Sequence, residues 1–185
     1  NADVIDEALD LIRSSQTDID AMSSAVASGA ESARLSPFLW GSRRYVHSLE
    51  MVIPPVDTAI RTTRVLARRA HILCGDNDRV TPEQIELIDA LAKASLEISD
   101  VYEVDSRKLQ SVAIPRIVND LRVLGGRAGM DVVGDNGVLS AYAILAQTRS
   151  LIVDLLQVCG MSRVSAAAVL VPTSTSPKYP PEQYS

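Results

Sequence analysis

The sequence predicts an all-α protein, an antiparallel bundle of about five long helices followed by a short C-terminal helix. In several segments, apolar residues recur at intervals of three, four and seven positions, which is the spacing of one helix face. The chain has no continuous alternation of apolar and polar residues and no hairpin turn signals, so no strand pattern competes. Long consecutive helices joined by short links favour antiparallel packing.

The first predicted helix covers residues 2–34. Its apolar positions repeat every seven residues, as in a helix that packs along its whole length. The repeat consists of Ile5, Ile12, Ile19, Val26 and Ala33, with Ala8 or Leu9, Met22, and Gly29 or Ala30 between them. Ser36-Pro37 is expected to end the helix, because the residue before a proline is disfavoured in the helical conformation.

The second predicted segment covers residues 41–74 and continues the seven-residue repeat. Its repeat consists of Val46, Ile53, Ile60, Ala67 and Cys74. Pro54-Pro55 interrupts the segment without changing the repeat, and prolines inside a helix remove backbone hydrogen bonds. Two interpretations stay open, one kinked helix or two helices that share a face. Gly75-Asp76-Asn77-Asp78 predicts a turn.

A clear helix start opens the third segment. Thr81 is the predicted N-cap, Pro82 occupies the first helical position, and Gln84 completes a capping box. The helix is expected to end before Pro115, which is a candidate start for a fourth helix. Its predicted core face consists of Ile85, Ile88, Leu91 or Ala92, Ser95, Ile98, Tyr102, Leu109 and Val112.

The remaining helices follow the same periodicity. The fourth buries Ile117, Leu121, Leu124 and Ala128, although Gly125-Gly126 weakens it. A loop at residues 129–137 leads to a fifth helix at 138–158, whose face consists of Ala141, Leu145, Thr148, Ile152 and Leu155. Gly160 suits a position just after that helix, and Ser162 is expected to cap a short final one.

These elements predict a helical bundle domain at residues 1–171. From Pro172 onward the chain consists mainly of Pro, Ser, Thr and Tyr, so residues 172–185 are predicted to be a disordered tail.

Composition and cysteine usage narrow the function classes. The net charge of −5 argues against a general nucleic-acid binder, which usually presents a basic domain. Cys74 and Cys159 are far apart, and each ends an apolar run, so we expect two buried thiols in a reducing compartment. We therefore predict no cofactor and no nucleic-acid partner.

No set of residues suggests catalysis. The sequence contains no Gly-x-Ser-x-Gly turn, no Gly-Lys-Ser/Thr phosphate loop and no Glu-x-x-His pair of the di-metal bundles. His47 and His71 both fall in the second helical segment, so a Ser-His-Asp set would be fortuitous. We predict that the chain is not an enzyme and has no metal site.

Three arginines share one side of the second segment. Arg61, Arg64 and Arg68 have the i, i+3, i+7 spacing that places side chains on one helix face. This basic face is a candidate site for an anion or for acidic lipid at the inner leaflet of a membrane. The alternative is a solvated face with pairs within the helix, such as Asp57 with Arg61.

Two charged residues interrupt the apolar fifth helix, Arg149 and Asp154. Charges at such positions are usually paired or exposed. A role in gating or in docking against another domain is the functional alternative.

No stretch approaches the roughly 18 uncharged apolar residues that a membrane span needs. The most apolar stretches, residues 136–148 and 164–177, are too short and too rich in Ser, Gly or Pro. The chain begins with Asn, and its first residues are already acidic and helical. We therefore predict a piece of a longer protein, without the part that would span a membrane.

Two stretches carry a resemblance to a known family. One runs from Ser36-Pro37 to Ala70, with Arg43-Arg44 and the run Thr63-Arg64-Val65-Leu66-Ala67-Arg68-Arg69-Ala70. The other is Leu145-Ala146-Gln147-Thr148-Arg149-Ser150-Leu151-Ile152-Val153-Asp154-Leu155-Leu156, followed by Gly160-Met161-Ser162. Together they resemble the soluble C-terminal half of actinobacterial FUSC-type membrane proteins, the fusaric-acid-resistance or aromatic-acid-exporter-like group.

The resemblance implies a cytoplasmic helical domain at the inner face of the plasma membrane. It implies an accessory or regulatory role in the export of aromatic or amphipathic acids or of cell-envelope material. The missing transmembrane half of the same polypeptide is then the expected partner. The basic face adds anionic lipid as a candidate partner, and the seven-residue repeats add self-association. No substrate-binding motif of the family can be placed on these residues.

Two other classes of function stay open. The chain is alternatively a stand-alone interaction or scaffold module without a role in transport. It is alternatively a small-molecule-binding regulatory bundle, which predicts an apolar pocket between helices with Arg61, Arg64 or Arg68 at its mouth.

Overall fold

The computed structural model describes residues 2–35, 43–104, 106–135, 137–179 and 181. Over these residues the protein is helical and has no strand, which confirms the predicted fold class. The helices are α1 (Ala2–Leu35), α2 (Arg43–Gly75), α3 (Pro82–Glu103), α4 (Arg107–Arg127), α5 (Leu139–Val158) and α6 (Arg163–Ala168). A short 3-10 helix, Met130–Val133, lies between α4 and α5.

Helices α1 and α2 form a long antiparallel hairpin. Asp6 lies 3.3 Å from His71 near one end, and the Gln16 amide donates to Asp57 at 3.0 Å further along. Leu9 rather than Ala8 takes the inner position, and both Leu9 and Ile19 are buried as predicted. The residues at the proposed end of α1, Ser36-Pro37, lie outside the described residues.

Helix α2 is a single helix that continues through Pro54 and Pro55, which decides between the two interpretations. The seven-residue repeat describes its buried face at Ile53 but fails at its C-terminal end. There Leu73 is buried, whereas Cys74 is exposed. An α-helix advances by 3.6 residues per turn, so a face that repeats every seven residues drifts by one position over several turns. The prediction of two buried thiols is therefore wrong for Cys74, and Cys159 is half-buried.

The turn predicted after α2 is present, and Asn77 adopts φ 60°, the left-handed region that asparagine tolerates. The N-cap of α3 is also confirmed, because the Thr81 hydroxyl accepts a hydrogen bond from the Gln84 amide nitrogen at 3.2 Å. The Gln84 side chain, however, does not complete a capping box. It is buried and donates to the carbonyl of Ala141 in α5 at 2.9 Å.

The boundary between the third and fourth helices was predicted about ten residues too late. Helix α3 ends at Glu103, and α4 begins after Ser106, whose hydroxyl accepts from the Leu109 amide nitrogen at 3.4 Å. Pro115 lies inside α4 rather than at its start. Because α4 folds back along α3, Leu109 and Val112 turn to solvent, with 55% and 72% of their surface exposed.

Helix α5 is the centre of the bundle. It packs against α2, α3, α4 and α6, and its predicted face is buried throughout, as is the predicted face of α4. Gly160 adopts φ 92° just after the helix, and the Ser162 hydroxyl accepts from the Ser165 amide nitrogen at 3.1 Å to start α6, both as predicted. The disorder predicted from Pro172 stays a prediction, although residues 172–179 form no helix or strand.

By length and composition alone, α5 (Leu139–Val158) could cross a membrane, a segment that the sequence analysis did not single out. Half of it is buried inside the bundle, and a core helix satisfies the same criterion. This is weak evidence for a span.

Candidate functional site

The three arginines of the predicted anion site have different surroundings. Arg61 is exposed and pairs with Asp57 four residues earlier at 2.9 Å, which is the pair within the helix that the alternative interpretation expected. Arg64 is half-buried, and its Nη2 donates to the backbone carbonyl of Ile12 in α1 at 3.2 Å. Arg68 is exposed. Arg64 therefore joins α1 to α2, and Arg61 already has a carboxylate partner within α2.

Asp57 is the acceptor of a small network at this hairpin. Its carboxylate accepts from the Gln16 amide at 3.0 Å and from the Arg61 guanidinium. The hydrogen bond from Gln16 lowers the pKa of Asp57 most, Arg61 and Arg64 lower it further, and partial burial opposes them. Polar contacts thus hold α1 on the outer side of α2.

The two charges in α5 have separate structural partners. Arg149 donates through Nη1 to the carbonyl of Ala128 at the end of α4, and through Nη2 to the carbonyl of Val171 at 2.8 Å. Its planar fork therefore ties the segment after α6 to the end of α4. Burial lowers the pKa of Arg149.

Asp154 faces the hairpin formed by α1 and α2. It is 4% exposed, and its carboxylate accepts a hydrogen bond from the hydroxyl of Thr62 in α2 at 2.7 Å. Burial raises the pKa of Asp154, whereas the hydrogen bond from Thr62 and the charge of Arg163 oppose that shift. Both α5 charges are thus explained by internal contacts.

A cleft of about 380 Å³ lies beside these charges, between α5, α6 and the C-terminal segment. Arg149, Arg163 and Asp154 contribute charges to its walls, and Tyr142 and Tyr179 contribute rings. The volume falls in the range of small-molecule sites, roughly 300–1,000 Å³.

A much larger apolar groove, about 1710 Å³, runs along the opposite side of α5. Its floor is Leu151, Leu155 and Val158 of α5. Helix α2 forms one wall from Leu49 to Leu66, and α3 forms the other from Ile88 to Glu103.

Helix α1 adds a lip above the α2 wall of this groove. Leu11 and Met22 line it there and are 69% and 40% exposed. The seven-residue repeat places Met22 on the packed face of the first helix, and that placement is wrong. On the facing lip, Leu96 of α3 is 67% exposed.

Sequence reasoning predicted an apolar pocket between helices as one alternative but placed arginines at its mouth. None of Arg61, Arg64 and Arg68 lines the groove. The available signal was the position of Leu96, an apolar residue on α3 that the predicted core face does not include. Among the described residues, no group of three or more His, Cys, Asp or Glu side chains is arranged to hold a metal ion.

Comparison with known proteins gives one informative match. Over 178 residues the chain is 52% identical to an uncharacterised protein of Corynebacterium glutamicum. The match covers 96% of the chain but 46% of that protein, so the chain spans less than half the length of this relative. No family model matches the chain. No solved structure matches it significantly.

Proposed function

We propose that the chain is a cytoplasmic helical domain of a FUSC-type membrane transporter, accessory or regulatory to the export of aromatic or amphipathic acids or of cell-envelope material. The observation that supports the proposal is the share of each chain that the match to the corynebacterial relative covers. Similarity to the corynebacterial relative extends over nearly the whole chain but over less than half of the relative. The relative therefore has further sequence in which transmembrane helices are expected, as the resemblance to FUSC-type proteins implies.

In this proposal the domain does not form the transport path. The apolar stripe of α5 is already packed against four other helices, so the helix serves as the core of the bundle. The exposed Arg61 and Arg68 support a position near anionic lipid, because basic groups beside the inner leaflet are attracted by its negative surface potential.

Membrane fractionation of the full-length corynebacterial relative tests the proposal. We expect the protein to stay in the membrane after a carbonate wash. Protease should cleave the region that matches this chain in inside-out vesicles but not in right-side-out ones. A full-length protein that is released by carbonate, or a region cleaved from the outer side, would overturn the proposal and favour the stand-alone interaction module.

Transport itself is tested by deletion of the same region. Cells that carry the shortened relative are expected to retain added aromatic carboxylates longer than cells that carry the full-length protein. Equal efflux from both strains would remove the accessory role in export.

A second candidate function, a regulatory bundle that binds a small molecule, is favoured by the cleft of about 380 Å³ beside Arg149 and Arg163. Arg163 is exposed, so its replacement by alanine is expected to leave the fold intact. In a thermal-shift assay, we expect acetate, benzoate or phosphate to raise the melting temperature of the parent chain but not that of Arg163→Ala. Equal shifts in both proteins would exclude the cleft as the binding site.

A further inference from the structure

The apolar groove between α2 and α3 is large enough for a macromolecular occupant. Its volume of about 1710 Å³ exceeds the usual size of small-molecule sites. The α3 wall from Ile88 to Glu103 is about 22 Å long at 1.5 Å per residue, and the α2 wall from Leu49 to Leu66 is about 26 Å. An apolar trough of this length fits one helix of about 15 residues, laid along the floor formed by α5.

The lips of the groove carry acidic residues in register with its exposed apolar residues. On α3, Asp89 lies seven positions before Leu96, Asp100 four after it, and Glu103 seven after it. Residues at these spacings share one side of a helix, and all three carboxylates are exposed. Lys93 adds one positive charge on the same side.

The α1 lip has the same arrangement. Asp18 lies seven positions after Leu11 and four before Met22, and Glu7 lies four before Leu11. Both carboxylates are exposed. The groove is therefore apolar inside and acidic on both edges, and a complementary partner has an apolar stripe flanked by basic residues.

We propose that this groove holds a basic amphipathic helix supplied by the part of the longer polypeptide that lies outside the present chain. The inference rests on the proposed function, in which the chain is one domain of a membrane protein about twice its length. Basic segments are frequent on the cytoplasmic side of membrane helices, where such a helix would be within reach. Two copies of this chain would instead bring acidic lips together, and each copy has a net charge of −5.

The test measures binding of fluorescent peptides to the 185-residue chain by anisotropy. The first probe is an 18-residue helix with a leucine stripe and lysines at the flanking positions, and its matched control has glutamates at those positions. The second probe is a set of overlapping peptides that covers the part of the corynebacterial relative outside the match. We expect the lysine probe to bind at least tenfold more tightly than the glutamate probe, and at least one basic amphipathic peptide of the relative to bind.

Two substitutions locate the binding. Leu96→Lys changes a groove residue that is 67% exposed, and Leu139→Lys changes a leucine outside the groove that is 85% exposed. We expect Leu96→Lys to weaken binding of the lysine probe at least tenfold and Leu139→Lys to leave it within twofold. Circular dichroism checks that both variants keep the helical content of the parent.

Several outcomes would overturn the inference. They are equal binding of the lysine and glutamate probes, equal effects of the two substitutions, or no binding by any peptide of the relative. Self-association in sedimentation velocity that Leu96→Lys abolishes and Leu139→Lys preserves would assign the groove to a second copy. The two proposals fail separately, because membrane fractionation of the relative does not depend on groove binding, and peptide binding does not depend on fractionation.

Discussion

The hydroxyl of Thr62 in α2 donates a 2.7 Å hydrogen bond to the carboxylate of Asp154 in α5, and both side chains are buried. The bond connects the α1–α2 hairpin to the central helix of the bundle. Replacement of Thr62 by valine keeps the shape of the side chain and leaves a buried carboxylate without this donor. We expect the free energy of unfolding to fall by about 1–3 kcal/mol.

Urea denaturation measures this loss. Thr58→Val is the matched control, because Thr58 is exposed and its hydroxyl donates only to the carbonyl of Pro54 within the same helix. The control should change the free energy of unfolding by less than about 0.5 kcal/mol. Equal effects of the two substitutions would show that the hydrogen bond between Thr62 and Asp154 contributes nothing to stability.

Asp154 also predicts a pH dependence of stability. Its pKa in the folded protein is raised above the ordinary value of 3.8 because the carboxyl group is buried. Between that value and the raised pKa, the folded state binds more protons than the unfolded state, so stability falls as pH rises. Asp154→Asn cannot ionise, and the variant should lack this fall. Unfolding free energies of both proteins between pH 3.5 and pH 7, measured in steps, check the difference, and parallel curves would contradict it.

Adjacent glycines in α4 are expected to respond oppositely to alanine. A Cβ atom on Gly125 would lie 2.6 Å from Cγ1 of Val169 and 3.1 Å from its carbonyl oxygen, whereas one on Gly126 would have no neighbour within 4 Å. Gly126→Ala should therefore stabilise the protein by about 0.5–1 kcal/mol, because alanine loses less backbone freedom in a helix. Gly125→Ala should destabilise it by about 1–3 kcal/mol through overpacking.

Thermal unfolding compares the glycine variants. Because Val171 also donates its amide hydrogen to the Gly125 carbonyl at 3.1 Å, the loss in Gly125→Ala should be accompanied by weaker packing of the segment after α6. A melting temperature raised by both substitutions would mean that the segment does not pack closely on α4.

Arg149 is expected to hold the same segment through its two hydrogen bonds to Ala128 and Val171. The compact ammonium group of lysine cannot reproduce a fork that spans two carbonyl groups. In Arg149→Lys, hydrogen exchange at the amides of residues 169–171 should accelerate at least tenfold. Arg127→Lys is the control, since Arg127 is exposed and pairs with Glu86 at the surface. Unchanged exchange in Arg149→Lys would assign the tethering to Gly125 packing alone.

The arginines of α2 should separate into two kinds of residue. Arg64→Ala removes a hydrogen bond to α1 and should lower the free energy of unfolding by about 1 kcal/mol, whereas Arg68→Ala should change it by less than about 0.5 kcal/mol.

Co-sedimentation with phosphatidylserine vesicles tests the proposed lipid contact of α2. The double substitution Arg61→Gln and Arg68→Gln should reduce vesicle binding most. An equal loss of vesicle binding in Arg64→Ala would restore the three arginines as one site.

Local signals in the sequence were sufficient for much of the fold. The Thr81 and Ser162 caps, the glycine at position 160 and the buried faces of α4 and α5 depend on neighbouring residues along the chain, and they were predicted correctly. The seven-residue repeat was sufficient for the existence of α1 and α2 but not for the end of the repeat, where Leu73 replaced Cys74 in the core. Regular spacing describes a helix face locally, and the drift of the face accumulates with length.

The sequence by itself therefore determined the helical class, most helix starts and the apolar stripes, because these follow from backbone geometry and local hydrogen bonds. Only the tertiary structure decided the partners of the polar groups. The Gln84 side chain donates to the Ala141 carbonyl instead of completing the predicted capping box, and Arg64 donates to the Ile12 carbonyl. Asp154 accepts a hydrogen bond from Thr62, which lies 92 positions earlier in the chain. The groove beside Leu96 was also decided by the tertiary structure. A space between helices depends on how the helices are placed relative to one another, which the residue spacing within a single helix does not determine.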